Sequence, residues 1–538
     1  MRNKADKGWW CYREAKRVTG SERFFLAVLV IAGLYSILQM ANWWFREIHI
    51  ANLTLFILLS CVFWYGMVRM ILIWINYLRI QKPAEKTVAQ GLRVAIFTTS
   101  SPNEPLSMFE KTLEACAQIT YPHTTYLLDD TCDPRFREVA QRHGAVWLEL
   151  VGLPGAKAGK INKALSITDE DFILVLDPDH IPFPNFLDNV LGFFDDQSVG
   201  YVQVSQAYYN QYRSFTAKAA AEQTYTFYGP TQMGLSGYNC SVAIGANCTF
   251  RRKALESIGG HGIGLAEDLV TAIRIHAAGW KSVYNPVIVS RGVVPEDFGS
   301  FCKQQLKWAR GVHEVLFAEV PRLLKKLSFW QRISYITIGT YYLEGVITLL
   351  YLIIPFLYLI FGVVPAKMYF IDFLRYGIPI LIFSVAIYLY VQRWMCDPQV
   401  ERGLHWRGMV LKFACWPVFF LGFILSVVDA EIPYIPTAKQ AVIGKISPFM
   451  KPLVVHVVIF VLTLIFVIYK RRYFVPDATL VLTSERTYGM ICFAIIPFLL
   501  ALGGIFAAIE SRSLKAEDPW SSIDIGNEKN EKLTSSEQ

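Results

Sequence analysis

Two apolar stretches, residues 24–44 and 50–75, are separated by a short polar turn and fix the setting in which the rest of the chain must fold. An α-helix needs roughly 20 apolar residues to cross the hydrocarbon core of a bilayer, and both stretches are long enough. Arg2, Lys4, Lys7, Arg13, Lys16, Arg17 and Arg23 precede the first, and Arg79, Lys82, Lys86 and Arg93 follow the second. Lysine and arginine stay on the cytosolic side of a membrane, so both flanks are expected there. The first stretch is too long for the apolar core of a signal peptide and lacks a small-residue cleavage site after it, so it reads as a retained anchor.

Four further apolar segments, 336–362, 374–394, 452–469 and 488–509, approach the same length. A fifth, 408–428, admits two arrangements. If it crosses, Lys470, Arg471 and Arg472 lie inside and the tail outside. If it lies along the interface, seven basic residues of the following loop and tail fall inside, including Lys439, Lys445 and Lys451, against four outside (Lys470, Arg471, Arg472 and Arg486). Charge favours the second arrangement, with six spans and one interfacial helix. The expected organisation is a basic N-terminus (1–23), two spans (24–75), a cytosolic α/β domain with interfacial helices (91–330) and two spans (336–394). An interfacial helix and loop (408–450), two spans (452–509) and a disordered polar tail (512–538) follow.

Composition agrees: 53% of the 538 residues are hydrophobic and 18% charged, which excludes a disordered chain, a collagen and a small disulfide scaffold. The excess of 52 basic over 44 acidic residues follows the membrane flanks, so no nucleic-acid partner is expected. The ten cysteines form no C-x-x-C pair and show no zinc-like spacing with histidine. They read as free thiols, mostly facing cytosol or lipid.

Within 91–330, short β-branched runs are separated by Gly, Pro, Asp and Asn, as in an α/β domain. Residues 93–100 form a strand that enters the loop Ser101–Pro105 and a helix from about Leu106. A second strand, 124–128, ends in Asp129–Asp130, and a third, 172–176, runs into Asp177-Pro-Asp179-His180. Ligands of open α/β sheets bind at the carboxyl ends of strands, where these carboxylates emerge. Such oxygen-rich positions suit Mg²⁺ or Mn²⁺ bridged to a diphosphate, although Asp and Pro favour turns in any case.

Between the second and third of these strands, Gly155-Ala-Lys157-Ala-Gly159-Lys160-Ile-Asn162 superficially resembles a phosphate loop but fails as a Walker A motif. Pro154 stands at the first glycine position and Ile161 where Ser or Thr would bind magnesium. Glu267 and Asp268 open an amphipathic helix, where helix-dipole compensation of about 0.3–1 kcal/mol would account for acids on its own. In Lys303-Gln304-Gln305-Leu306-Lys307-Trp308-Ala309-Arg310-Gly311, Gln304, Lys307 and Trp308 share one helix face. An indole beside amide and cationic groups suits a sugar and a diphosphate, and equally an interfacial helix with a snorkelling lysine.

The order Asp-Asp, Gly-Lys loop, Asp-x-Asp, Glu-Asp and Gln-Gln-x-x-Trp, in one domain between membrane spans, resembles the processive family-2 glycosyltransferases of the cellulose synthase and hyaluronan synthase type, with chitin synthases related. The resemblance extends over nearly the whole chain after residue 20. It implies a multi-pass α-helical membrane protein with an inserted cytosolic α/β GT-A (Rossmann-like) glycosyltransferase domain. By resemblance, Asp129 and Asp130 contact the nucleotide with Lys157 nearby, Asp177 holds the sugar nucleotide, and Asp179 ligates Mg²⁺ or Mn²⁺. Asp268, beside Glu267, is the catalytic base, and Gln304, Gln305 and Trp308 bind the acceptor sugar at a channel entrance.

Two departures stand out. Ala266-Glu267-Asp268 replaces Thr-Glu-Asp, and Lys307 replaces the arginine of Gln-x-x-Arg-Trp, which costs the bidentate grip on a diphosphate; Arg310 is a candidate to compensate. Tyr434-Ile-Pro-Thr437-Ala-Lys439 is similar to the gating loop of cellulose synthases, with Tyr and Pro for Phe and Val. The implied activity is polymerisation of a UDP-sugar donor, with UDP-glucose favoured, onto a growing polysaccharide acceptor in contact with membrane lipid. The sequence leaves open UDP-N-acetylglucosamine or alternating donors, single transfer to a lipid acceptor, and a transporter with a regulatory domain. The 27 residues from Arg512 are too few for the cyclic-di-GMP-binding domain of cellulose synthase, at the usual domain size of about 100, so none is expected.

Overall fold

The structure, a computed structural model, describes residues 12–432, 439, 444, 446–473, 484–515, 518–520 and 523. Two 25-residue helices, α1 (Gly20–Trp44) and α2 (Leu53–Tyr77), form the first apolar pair. Thr19 and Glu22 close a capping box at the start of α1, satisfying N–H groups that have no partner within the helix. The pair is joined near its turn by Trp44, whose Nε1 donates to Ser60 Oγ and whose ring stacks on Phe63.

An α/β domain follows. Its strands are β1 (Val94–Thr99), β2 (Thr124–Asp129), β3 (Val146–Glu149), β4 (Phe172–Val175), β5 (Val199–Val204), β6 (Cys248–Arg251) and β7 (Lys281–Asn285), ordered β3-β2-β1-β4-β6-β5-β7. The β3-β2-β1-β4 half is parallel, and its crossovers are α3 (Leu106–Ala117), α4 (Pro134–Arg142) and α5 (Ala156–Leu165). Strand β6 pairs antiparallel with both β4 and β5, and β5 pairs in parallel with β7. Every residue of β1, β4 and β5 is buried, as expected of a sheet covered on both faces, which is why β4 is continuously apolar and β1 and β5 largely so.

Helices α6 (Phe215–Thr226), α7 (Glu267–Ala277) and α8 (Phe298–Glu314) complete the domain. Helix α9 (Phe329–Gly339) breaks at Thr340 and continues as α10 (Glu344–Phe361), and α11 (Phe370–Val391) follows. Together α9 and α10 make one 33-residue candidate span, Phe329–Phe361, which begins before the segment expected over 336–362 and ends with it. Tyr335 of α9 lies in the core of the α/β domain and its hydroxyl meets His276 Nδ1 at 2.7 Å, so the first part is anchored to the domain.

Segment 408–428 is a pair, α12 (Trp406–Ala414) and α13 (Trp416–Val427), bent by 46°. At 1.5 Å per residue, arms of 9 and 12 residues each fall short of the roughly 30 Å hydrocarbon core. The Gly408 N–H donates to Glu222 of α6, and Gly422 lies against Ala309 of α8, so the pair sits on the domain. With α14 (Lys451–Tyr473) and α15 (Ser484–Glu510), six helical segments among the described residues are long and apolar enough to cross a membrane, or seven if the bent pair counts as one.

Two expectations are corrected. All nine described cysteines are free, but Cys116, Cys240, Cys248, Cys302, Cys396 and Cys415 are buried; only Cys61, Cys132 and Cys492 are exposed. Small thiols are fitted into helix and strand contacts that spacing does not reveal. The tail is not uniformly disordered, since Trp520 and Ile523 are buried beside α3 and α4.

Candidate active site

The carboxyl ends of β2, β1 and β4 lie side by side, and the polar residues that leave them meet there. Ser100, just after β1, donates through Oγ to Asp129 Oδ1 at 2.5 Å. Asp129 also accepts from the Thr131 N–H and hydroxyl and from Trp147 Nε1, so this buried carboxylate is saturated and holds the β2 turn in place. Asp130 remains partly exposed, accepts from the Gly152 N–H, and faces Lys160 Nζ at 3.5 Å.

Lys157 does not lie in an open loop but in the first turn of α5, entered through Gly155 in the left-handed region at φ +87°. Its Nζ donates to Asp177 Oδ1 at 2.5 Å and to the Gly245 carbonyl. Burial alone would lower its pKa, but the Asp177 carboxylate, with Glu267, outweighs it and the pKa rises, which keeps the amine charged. Gly245 abuts Asp268 on its other side: a Cβ there would lie 3.3 Å from Asp268 Oδ2. Asp177, Lys157 and Asp268 are thereby brought into one constellation.

Asp268 accepts from the Leu269 N–H at 2.7 Å in the first turn of α7. Burial, reinforced by neighbouring Glu267, pushes its pKa up to about 7. A carboxylate poised there is suited to proton abstraction near neutral pH. Helix α8 is pressed against this turn, because a Cβ on Gly311 would come within 2.8 Å of the Ala266 nitrogen. On α8, Gln304, Lys307 and Trp308 are half-buried, while Gln305 and Arg310 are buried. Burial lowers the pKa of Lys307, and Glu267 opposes that shift. Arg310 does not join this group. It donates to Asp429 Oδ1 at 3.0 Å, the Ala430 carbonyl at 3.2 Å and Glu314 Oε2, tying α8 to the residues after α13. Tyr434 and Thr437 lie outside the described residues.

Asp177, Asp179 and His180 each offer a ligand atom, all within 4.8 Å of one another. Both His180 ring nitrogens are buried without a hydrogen-bond partner among the described residues, and Lys439 Nζ lies 2.9 Å from Asp179 Oδ1. Although burial opposes ionisation, that ammonium and His180 hold Asp179 well below the usual carboxylate range. A buried carboxylate demanding a cation, beside a second carboxylate and an imidazole, fits a divalent metal ion.

Glu104, Lys160 and His180 also line this neighbourhood, although no sequence motif assigns them a role. Burial pushes the Glu104 carboxyl up to about 7, while Lys439 opposes that shift and Asp179 adds to it, so it borders the same pocket. Its Oε2 accepts from the Ser101 N–H, closing the loop after β1.

This arrangement can be compared with known proteins. The sequence profile of the glycosyl transferase family group 2 matches residues 172–506, from β4 into the last span. The chain belongs to this family. A UDP-forming cellulose synthase catalytic subunit from Pseudomonas fluorescens is 30% identical over 269 residues, 48% of this chain and 36% of that protein. Its counterpart from Komagataeibacter sucrofermentans is 30% identical over 271 residues, with the same shares covered. The chain thus spans little more than a third of those relatives' length. Among solved structures, the mannosyltransferase PcManGT of Pyrobaculum calidifontis, in complex with GDP-Man and Mn²⁺, matches at a TM-score of 0.42 and 16% identity, over 70% of this chain and 99% of that one. Family membership and the parallel-rich sheet define a GT-A-like α/β domain joined to apolar helices.

Proposed function

We propose that this chain is an inverting, processive glycosyltransferase that polymerises a UDP-sugar, UDP-glucose first among candidates, into a β-linked polysaccharide and passes it through its own spans. One observation carries this reading: the Lys157–Asp177 pair and Asp268 are brought together directly beside α8, the helix that bears Gln304, Lys307 and Trp308 and packs on α13. In this reading, donor and acceptor groups share one site beside α13. Similarity to UDP-forming cellulose synthases supports the donor and product, and the basic flanks of α1 and α2 support a cytosolic domain.

In this reading Asp268 takes the proton from an acceptor hydroxyl, which attacks the anomeric carbon from the face opposite the diphosphate and inverts the linkage. Lys157 and Lys307 place positive charge where the leaving diphosphate gathers negative charge. Asp179, with Asp177 and His180, would hold a divalent cation, which when bound offsets the same charge. Trp308 offers a face for stacking a sugar ring.

The test is UDP release by purified, lipid-reconstituted protein given UDP-glucose, UDP-N-acetylglucosamine or UDP-glucuronate, singly and in pairs, with Mg²⁺ or Mn²⁺, followed by product sizing and glucanase digestion. A long glucanase-sensitive product from UDP-glucose is expected. Only lipid-soluble monosaccharide products would replace polymerisation by glycolipid synthesis, and no release from any donor would remove the enzymatic reading.

A further inference from the structure

The described residues after the last span hold the catalytic domain at several points, as a strap would. Glu510, at the end of α15, accepts from the Phe215 N–H through both carboxylate oxygens, at 3.1 and 2.9 Å, and so satisfies the start of α6. Ser511 Oγ accepts from the Phe298 N–H at 2.9 Å, at the start of α8, the helix that carries Gln304 to Trp308. Farther on, Trp520 is completely buried and Ile523 nearly so, in a cluster with Met108, Phe109, Phe136 and Ile181. The Trp520 ring meets Tyr209 edge to face at 5.5 Å.

This cluster borders the candidate metal turn on two sides. Ile181 follows His180 directly, and Ile181–Pro182 pairs with Ser290–Arg291. On α3, beside Met108, Phe109 and Leu113, Thr112 Oγ1 donates to the Pro178 carbonyl at 2.5 Å, between the two aspartates. Trp147, which fixes Asp129, packs against the same cluster. Pro178, Asp179 and His180 are buried and Asp177 is half-buried, so a void in the adjoining cluster would loosen the turn that holds the carboxylates.

We infer that Trp520 is a positioning residue: packed behind α3 and Ile181, it sets the Asp177–His180 turn in the geometry that binds a metal–diphosphate, and so couples the end of the last span to donor binding. This inference rests on the proposed donor and metal reading. Because Trp520 Nε1 has no hydrogen-bond partner among the described residues, phenylalanine can take its place without breaking a polar contact.

The experiment uses the full chain in lipid nanodiscs, as wild type, Trp520→Ala, Trp520→Phe and Ile523→Ala. Hydrogen exchange across residues 177–183, without any ligand, reads the strap itself; Mn²⁺ titration by electron paramagnetic resonance and UDP binding by calorimetry read its consequence. Trp520→Ala should speed exchange in this turn at least tenfold while β5 and β6 stay protected, weaken Mn²⁺–UDP binding about tenfold, and raise the donor KM with kcat within about threefold. Trp520→Phe should stay within about twofold of wild type, and Ile523→Ala should shift binding in the same direction by less, which keeps the test open where the Trp520→Ala protein does not fold. Unchanged exchange and binding in Trp520→Ala and Ile523→Ala would overturn the strap. Failure of the wild type to bind Mn²⁺–UDP would instead overturn the donor reading, with the exchange result still deciding the strap.

Discussion

At the residue scale, the chemistry turns on a carboxyl group held away from water. Burial and the neighbouring Glu267 keep the Asp268 proton on up to about pH 7. A base works only when ionised, so the turnover rate should climb with pH, about tenfold per unit well below 7, and level off above it. A profile flat between pH 5.5 and 8 would take the proton-transfer role from Asp268. Asp268→Asn should bind UDP as before yet lose transfer by about 10² or more, since only the proton acceptor is removed; near-normal turnover would give the role to another group. Asp177 and Asp179 were legible because an apolar run ending in acids announces a strand end. Glu104 and Lys160 were not, because they approach the Asp179 pocket and Asp130 through the adjacency of β1, β2 and β4, which no local pattern encodes.

At the element scale, α8 does the joining. It touches the Glu267–Asp268 turn through Gly311 and the bent α12–α13 pair through Ala309 and Gly422. A methyl at position 311 would meet the Ala266 backbone rather than a side chain able to swing aside, so Gly311→Ala should cost about 1–3 kcal/mol, read as a lower thermal midpoint, and should reduce transfer more than UDP binding. An unchanged midpoint would show that the helix has room to shift. Trp308→Ala acts one turn away on the same face. It should spare slow UDP-sugar hydrolysis while shortening the product, and unchanged polymer length would remove Trp308 from the acceptor site. The periodicity of residues 303–311 gave away the shared face of Gln304, Lys307 and Trp308, yet Arg310 could not be placed from it. Its partners Asp429 and Ala430 lie beyond two spans in sequence, and only the packing of α13 on α8 brings them near. That α9 joins α10 in one candidate span was hidden for a related reason, since Tyr335 is held in the α/β core by His276, far off in sequence.

At the scale of the whole molecule, the question is whether synthesis and export are one process. The apolar segments and their basic flanks were plain in the sequence because the bilayer imposes a length and a charge rule on any chain that crosses it. The strap was not, because one buried tryptophan in a polar stretch has no periodicity to betray it. If the domain is cytosolic, Cys132, exposed just after β2, should resist a membrane-impermeant maleimide in intact cells and react once they are permeabilised. Labelling in intact cells would put the pocket on the side without nucleotide sugars. Export then has a sharper consequence. A hydroxyl-rich polymer cannot cross hydrocarbon unaided, since each desolvated hydroxyl costs about 1–3 kcal/mol by protein-based scales. In sealed inverted vesicles supplied externally with UDP-glucose and Mg²⁺, a product threaded through the spans should therefore collect inside, resistant to added glucanase until detergent opens the vesicles. Product digested at once would mean that the chain is released where it is made, and the six apolar segments would then serve to anchor the domain rather than to conduct its product.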